Sequence, residues 1–132
     1  MSTIHPTAII DASASIADDA LVGPYCVIGP NVFIGKGTHL INHVTVQSDT
    51  LIGEDNRLYP YCVVGGDPQD KKFDGETTAL EIGDRNQIRE HVTIHRGTAH
   101  GGGKTIIGDD NLLMVASHVA HDCVLGSDLV IA

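Results

Sequence analysis

Aliphatic side chains recur at every sixth position through most of this chain. Ile4, Ile10, Ile16, Val22, Ile28, Ile34, Leu40, Val46, Ile52, Leu58 and Val64 keep one phase, and Ile82, Ile88 and Ile94 return to it. After a further break the beat resumes at Ile107, Leu113, Val119, Leu125 and Ile131, one residue out of phase. A small residue usually stands four positions after the aliphatic one, as at Ala20, Cys26, Cys62, Thr98, Ser117 and Cys123. Glycine often follows the aliphatic directly, as at Gly23, Gly35 and Gly108. A period of six fits neither an α-helical face nor an alternating strand. It fits a solenoid of short flat strands joined by tight turns, with each aliphatic filling the interior and each small residue a crowded corner.

This pattern resembles the hexapeptide repeat and, with it, the left-handed parallel β-helix of the hexapeptide acyltransferases. The implied fold class is all-β, with three hexads making one triangular coil of eighteen residues. Adjacent coils are then expected about 4.8 Å apart, the ordinary spacing of paired strands. The handedness rests on the resemblance, because parallel crossovers in general favour the opposite hand.

Composition removes several function classes. The core must be built from Ile, Leu, Val, Ala and Cys, since the chain has two Phe, three Tyr and no Trp. Seventeen acidic residues against eight basic ones give a formal charge of −9, and no Lys/Arg cluster interrupts them. Binding to nucleic acid through counterion release needs positive charge that this chain lacks. No apolar run reaches the length of a membrane span. The N-terminus "MSTIHPTAII" shows no secretory signal, and Cys26, Cys62 and Cys123 are read as free thiols; both predict a cytoplasmic protein.

Two segments break the beat. "GGDPQDKKFDGETTAL" puts Asp70 and Glu76 where aliphatics are due, and "RGTAHGGGKT" carries three consecutive glycines. The chain is read as one β-helical domain over 1–132, with loops at about 65–81 and 97–106. If both are excursions, Val64, Ile94 and Val119 stack on one face and both loops leave at one corner. His95, His118 and His121 then share that face across two adjacent coils, beside the loop bearing Gln69, Asp70 and Lys72.

Such a cluster suits acyl transfer. Histidine gains and loses a proton near neutrality and can take one from an attacking hydroxyl. Asp122 is a candidate to orient His121, although neighbours on a strand ordinarily point apart. Lys72 is suited to phosphate as a point charge, and Gln69 and Asp70 to sugar hydroxyls. Each residue taken singly also fits an ordinary solvated surface, and Asp70 and Lys72 an exposed pair of little energetic weight. His5, His39, His43 and His100 are assigned to solvent outright, and His91 is placed near the site with a weak claim on it. The three cysteines are assigned to packing. A zinc site of the γ-class carbonic anhydrase kind is a second reading, though no H-E-x-x-H or paired C-x-x-C motif supports it. A noncatalytic scaffold is a third, and the two loops speak against it.

The stretches "QDKKFDGE", "IGDRNQIREHVTIHRGT" and "GDDNLLMVASHVAHDC", with the opening "IHPTAIIDASASIADDALVGPYCVIGPNV", carry a more specific resemblance. Together they resemble the acyl-carrier-protein–UDP-N-acetylglucosamine O-acyltransferases of lipid A biosynthesis. The resemblance implies transfer of a 3-hydroxyacyl group from acyl carrier protein to the glucosamine 3-hydroxyl of UDP-N-acetylglucosamine. It implies His121 as general base, Asp122 as the carboxylate beside it, and Gln69, Asp70, Lys72, His95 and His118 as substrate-binding residues. It also implies a homotrimer with sites between subunits, and chemistry that requires no cofactor or metal. A related N-acyltransferase of the same pathway is the nearest enzymatic alternative.

The sequence departs from the family at Lys71, where an apolar residue is more usual, and at Phe73, where Tyr is usual. Family members continue through about as many residues again. The chain is therefore read as a partial form cut in mid-coil, lacking the remaining coils and a C-terminal helical domain.

Overall fold

A computed structural model describes residues 2–132. Almost every hexad contributes a strand of two to four residues, and the strands pair only in parallel, forming three sheets. The first face stacks seven strands, carrying Ile4, Val22, Leu40, Leu58, Ile88, Leu113 and Ile131 in register. The second stacks six, with Ile10, Ile28, Val46, Val64, Ile94 and Val119 in line. The third stacks Ile16, Ile34, Ile52, Ile82, Ile107 and Leu125. No α-helix occurs among the described residues, and one 3₁₀ turn spans Ala99–Gly101.

The coil is a prism with an aliphatic interior. Ile34, Leu40, Ile52, Leu58, Val64, Ile88, Ile94 and Leu113 are fully buried. Cys26 and Cys62 pack at one corner as free thiols. Burial pushes the Cys62 thiol up to about 12, which keeps it protonated and inert at neutral pH.

The corners depend on left-handed backbone. From the third turn on, most turns hold one residue of positive φ, and outside glycine these are mostly Asp, Asn, His or Tyr: Asp19, Asn31, His43, Asp55, His91, Asp110 and Asp122 among them. Short polar side chains tolerate this region better than β-branched ones do. The corner between the third and first faces also holds a column of amides. Asn86 N–H donates to Asn56 Oδ1 at 2.8 Å, and Asn111 N–H to Asn86 Oδ1 at 2.9 Å. The side-chain amides of Asn56, Asn86 and Asn111 donate in turn to the carbonyls of Gly83, Gly108 and Gly126. All three asparagines are buried, and the column satisfies them.

Both interruptions leave the prism between the second and third faces. The first loop runs from the strand Val63–Gly66 to the strand Ala79–Ile82, the second from Thr93–His95 to Lys104–Ile107. The strands around them pair through as if uninterrupted, Val64 with Ile94 and Ile82 with Ile107. Buried Arg96 ties the base of one loop to the other, donating from Nη1 to the Gly65 carbonyl and from Nη2 to Asp67 Oδ1, each at 2.6 Å.

Candidate functional site

His118 stands directly beside Thr93 in the next coil, because the two strands pair Thr93 with His118 and Ile94 with Val119. The His118 ring meets His95 edge-on, with centroids 4.6 Å apart. Its Nδ1 lies 2.7 Å from Thr93 Oγ1, and its Nε2 lies 3.4 Å from the Gln69 amide nitrogen. An amide NH₂ only donates, so His118 Nε2 accepts and Nδ1–H donates to the threonine. The first loop thus reaches a coil two turns up the prism.

His121 lies beyond, at the next corner, with Nδ1 2.8 Å from Asp122 Oδ2. The expectation that adjacent residues point apart fails for a local reason. Asp122 is not on a strand but at the left-handed turn position, φ 67°, which folds its side chain back toward its neighbour. A carboxylate only accepts, so Nδ1 carries the proton and the neutral ring keeps its lone pair on Nε2.

Asp122 is held from a second direction by Thr98, whose backbone N–H donates to Oδ1 at 2.7 Å and whose hydroxyl donates to Oδ2 at 2.6 Å. The Asp122 N–H donates to Thr105 Oγ1 at 2.9 Å. Burial pushes this carboxyl up, but the Thr98 hydroxyl and N–H together with His121 outweigh it. The net position is below the ordinary carboxylate range. Thr98 appears in the sequence as one more small residue of the repeat; nothing in the hexad count marks it as the partner of Asp122.

His95 is displaced the other way for a histidine. Burial chiefly, and then the nearby His118 and His121, hold it below the ordinary value. Its Nδ1 is buried without a hydrogen-bond partner among the described residues. Asp70, on the first loop, accepts from the Lys72 backbone N–H at 2.9 Å and faces His100 Nε2 at 3.1 Å. The Lys72 side chain is exposed on the same loop.

Two placements differ from expectation. His100, assigned to solvent from the sequence, pairs with Asp70, because the 3₁₀ turn carries it over the first loop. His91, expected near the site, belongs to the opposite corner, between the first and second faces. There it stacks on Tyr61 with centroids 5.5 Å apart. Among the described residues no group of three or more His, Cys, Asp or Glu side chains is arranged to hold a metal ion, which leaves the zinc reading without a ligand set.

A parallel prism of hexads defines a protein of the hexapeptide-repeat class, and the description "Bacterial transferase hexapeptide (six repeats)" matches residues 1–36. Over all 132 residues the chain is 48% identical to an acyl-[acyl-carrier-protein]–UDP-N-acetylglucosamine O-acyltransferase of Thermodesulfovibrio yellowstonii, covering 51% of that protein. Over 126 residues it is 50% identical to the enzyme of the same name from a Psychrobacter species, covering 49% of it. The solved structure of LpxA from Acinetobacter baumannii superposes with a TM-score of 0.96 at 53% identity, over 96% of this chain and 49% of that one. The fold is accordingly the left-handed parallel β-helix of these proteins. Along its whole length the chain is similar to the UDP-N-acetylglucosamine O-acyltransferases, and it spans about half the length of the curated relatives it matches.

Proposed function

We propose that this chain carries the base and part of the acceptor pocket of an O-acyltransferase acting in lipid A biosynthesis. The reaction moves a 3-hydroxyacyl group from the thioester of acyl carrier protein to the glucosamine 3-hydroxyl of UDP-N-acetylglucosamine. The observation that carries this reading is the His121–Asp122 pair, in which Nδ1–H is fixed on a carboxylate and Nε2 is left as an acceptor.

His121 Nε2 takes the proton of the sugar 3-hydroxyl as its oxygen attacks the thioester carbonyl carbon. Asp122, kept ionised by Thr98, favours the imidazolium that forms. Collapse of the tetrahedral adduct breaks the carbon–sulfur bond, and the imidazolium returns its proton to the departing thiolate. The new ester and the free carrier thiol balance the step without a metal or cofactor. Gln69, Asp70, His95 and His118 line the sugar side, and Lys72 faces the diphosphate as a mobile positive charge. The working assembly is a cytoplasmic homotrimer whose sites lie between subunits.

The test is acyl transfer from 3-hydroxyacyl carrier protein to UDP-N-acetylglucosamine, with His121→Ala in parallel. Transfer that collapses in the variant supports the assignment. Transfer that survives the substitution removes His121 as the base, and acylation of an amine on the sugar nucleotide, to give an amide in place of the ester, favours the N-acyltransferase reading.

A further inference from the structure

We propose that His100 is a positioning residue for the sugar-nucleotide pocket, locking Asp70 and the first loop to the turn that also holds Asp122. This rests on the acyltransferase reading for what the pocket binds, but not for the latch itself.

The turn Ala99–Gly101 touches both carboxylates of the site. At its start Thr98 donates twice to Asp122. Two residues later His100 Nε2 meets Asp70 Oδ2 at 3.1 Å. Asp70 in turn organises its own loop: Oδ1 accepts the Lys72 N–H at 2.9 Å and its carbonyl accepts the Phe73 N–H at 2.9 Å. A shift of the Asp70 carboxylate therefore carries the Gln69–Lys72 segment with it, and with that segment the contact from Gln69 to His118.

The turn itself is fixed from behind. A Cβ on Gly101 would collide with the Asp122 carboxylate and the Thr98 hydroxyl, so the backbone presses directly on Asp122. Gly102 and Gly103 then return the chain at φ 112° and 85°, values that glycine adopts without strain. The two loops are thus joined at two levels. Arg96 clamps the base and is buried, whereas the His100–Asp70 pair closes the outer part with its histidine about half exposed (47%). The charged partners acting on Asp70 are His100 and, farther off, His121. An outer clamp of this kind leaves the fold intact when opened and changes where the first loop stands over the pocket.

The experiment compares the parent chain with His100→Ala, His100→Gln, Asp70→Asn and the double variant His100→Ala/Asp70→Asn. Three quantities are read: the Asp70 carboxyl titration by carbon NMR, amide exchange across residues 70–73, and affinity for UDP-N-acetylglucosamine by calorimetry. In His100→Ala the Asp70 titration moves up, exchange at Phe73 quickens, and affinity falls about 2- to 5-fold, the range of an exposed ion pair. His100→Gln, which keeps an N–H donor, restores most of each. The double variant binds no more weakly than the worse single one, and melting temperatures move by no more than about 4 °C.

An unmoved Asp70 titration and unchanged exchange in His100→Ala overturn the latch. Additive losses of affinity in the double variant overturn the coupling of His100 to the pocket. A moved titration with no nucleotide binding by any variant, the parent included, instead overturns the acyltransferase reading for this chain and the pocket role that depends on it.

Discussion

Two corners of the prism carry most of its histidines, and they use them differently. At the corner between the first and second faces, Tyr25, His43, Tyr61 and His91 stack ring on ring, with centroids 5.1, 4.9 and 5.5 Å apart in turn. The His43–Tyr61 and Tyr61–His91 contacts run face to face, the Tyr25–His43 contact is tilted by 34°, and no loop rises beside the column. At the next corner His121 directs a ring nitrogen at a carboxylate, and His118, on the strand leading into that corner, directs its nitrogens at a hydroxyl and an amide. Two loops wall that corner in. The residue type is the same in both places. What separates packing from chemistry is the set of acceptors and donors facing the ring nitrogens, and the room left for a ligand beside them.

The largest test of this contrast is His121→Ala, expected to lower the acyl-transfer rate about 10²- to 10⁴-fold, the usual worth of a positioned base. Thr98→Val should cost less. It removes one charge-assisted donor from Asp122 at nearly constant volume, for roughly a tenfold loss of rate. The Asp122 carboxyl should titrate higher in the same variant, which carbon NMR reads directly.

A smaller effect is expected from pH. The fold favours neutral His95, whereas the unfolded chain takes up this proton near pH 6.5. The unfolded state therefore binds more protons below that value, and stability falls on acidification through this range while staying flat above it. Urea midpoints at pH 7.5 and 5.5 should lie closer together in His95→Gln than in the parent. Asp122 and Asp70, both held low, add a further loss only below about pH 4. The smallest effect on transfer is expected of His91→Ala: transfer within twofold of the parent, with roughly 1 kcal/mol of stability lost along with the Tyr61 stack and a left-handed backbone that alanine adopts less readily, read by urea unfolding. A large loss of transfer there would erase the distinction between the two corners.

The architecture was legible because the period of six repeats often enough to fix which aliphatics share a face. Val64, Ile94 and Val119 could be stacked by counting alone, and that count also brought His95 and His118 into adjacent coils. Side-chain direction was not legible. Asp122 meets His121 only because a turn residue has positive φ, and a sequence of alternating beats does not state which residue takes that conformation. Loop geometry was hidden for a related reason. His100 and Asp70 lie thirty residues apart on segments that have left the repeat, so no periodicity relates them. His91 misled because proximity in sequence to "IHRGT" puts it one corner away, and one corner is a full face of the prism.

The asparagine column has a consequence for how such a chain finds its winding. Successive hexads are nearly interchangeable, and an aliphatic lies on the interior beat whether or not a strand joins its proper neighbour. A slip by one hexad would keep the aliphatic interior but carry the amides of Asn56, Asn86 and Asn111 to a different corner. The stacked acceptors and donors that now satisfy them would be lost, leaving amides sealed in an apolar shaft at roughly 1–3 kcal/mol for each unmet group. The column works as a key cut into an otherwise uniform thread, admitting one alignment of the coils that build the loop-bearing corner.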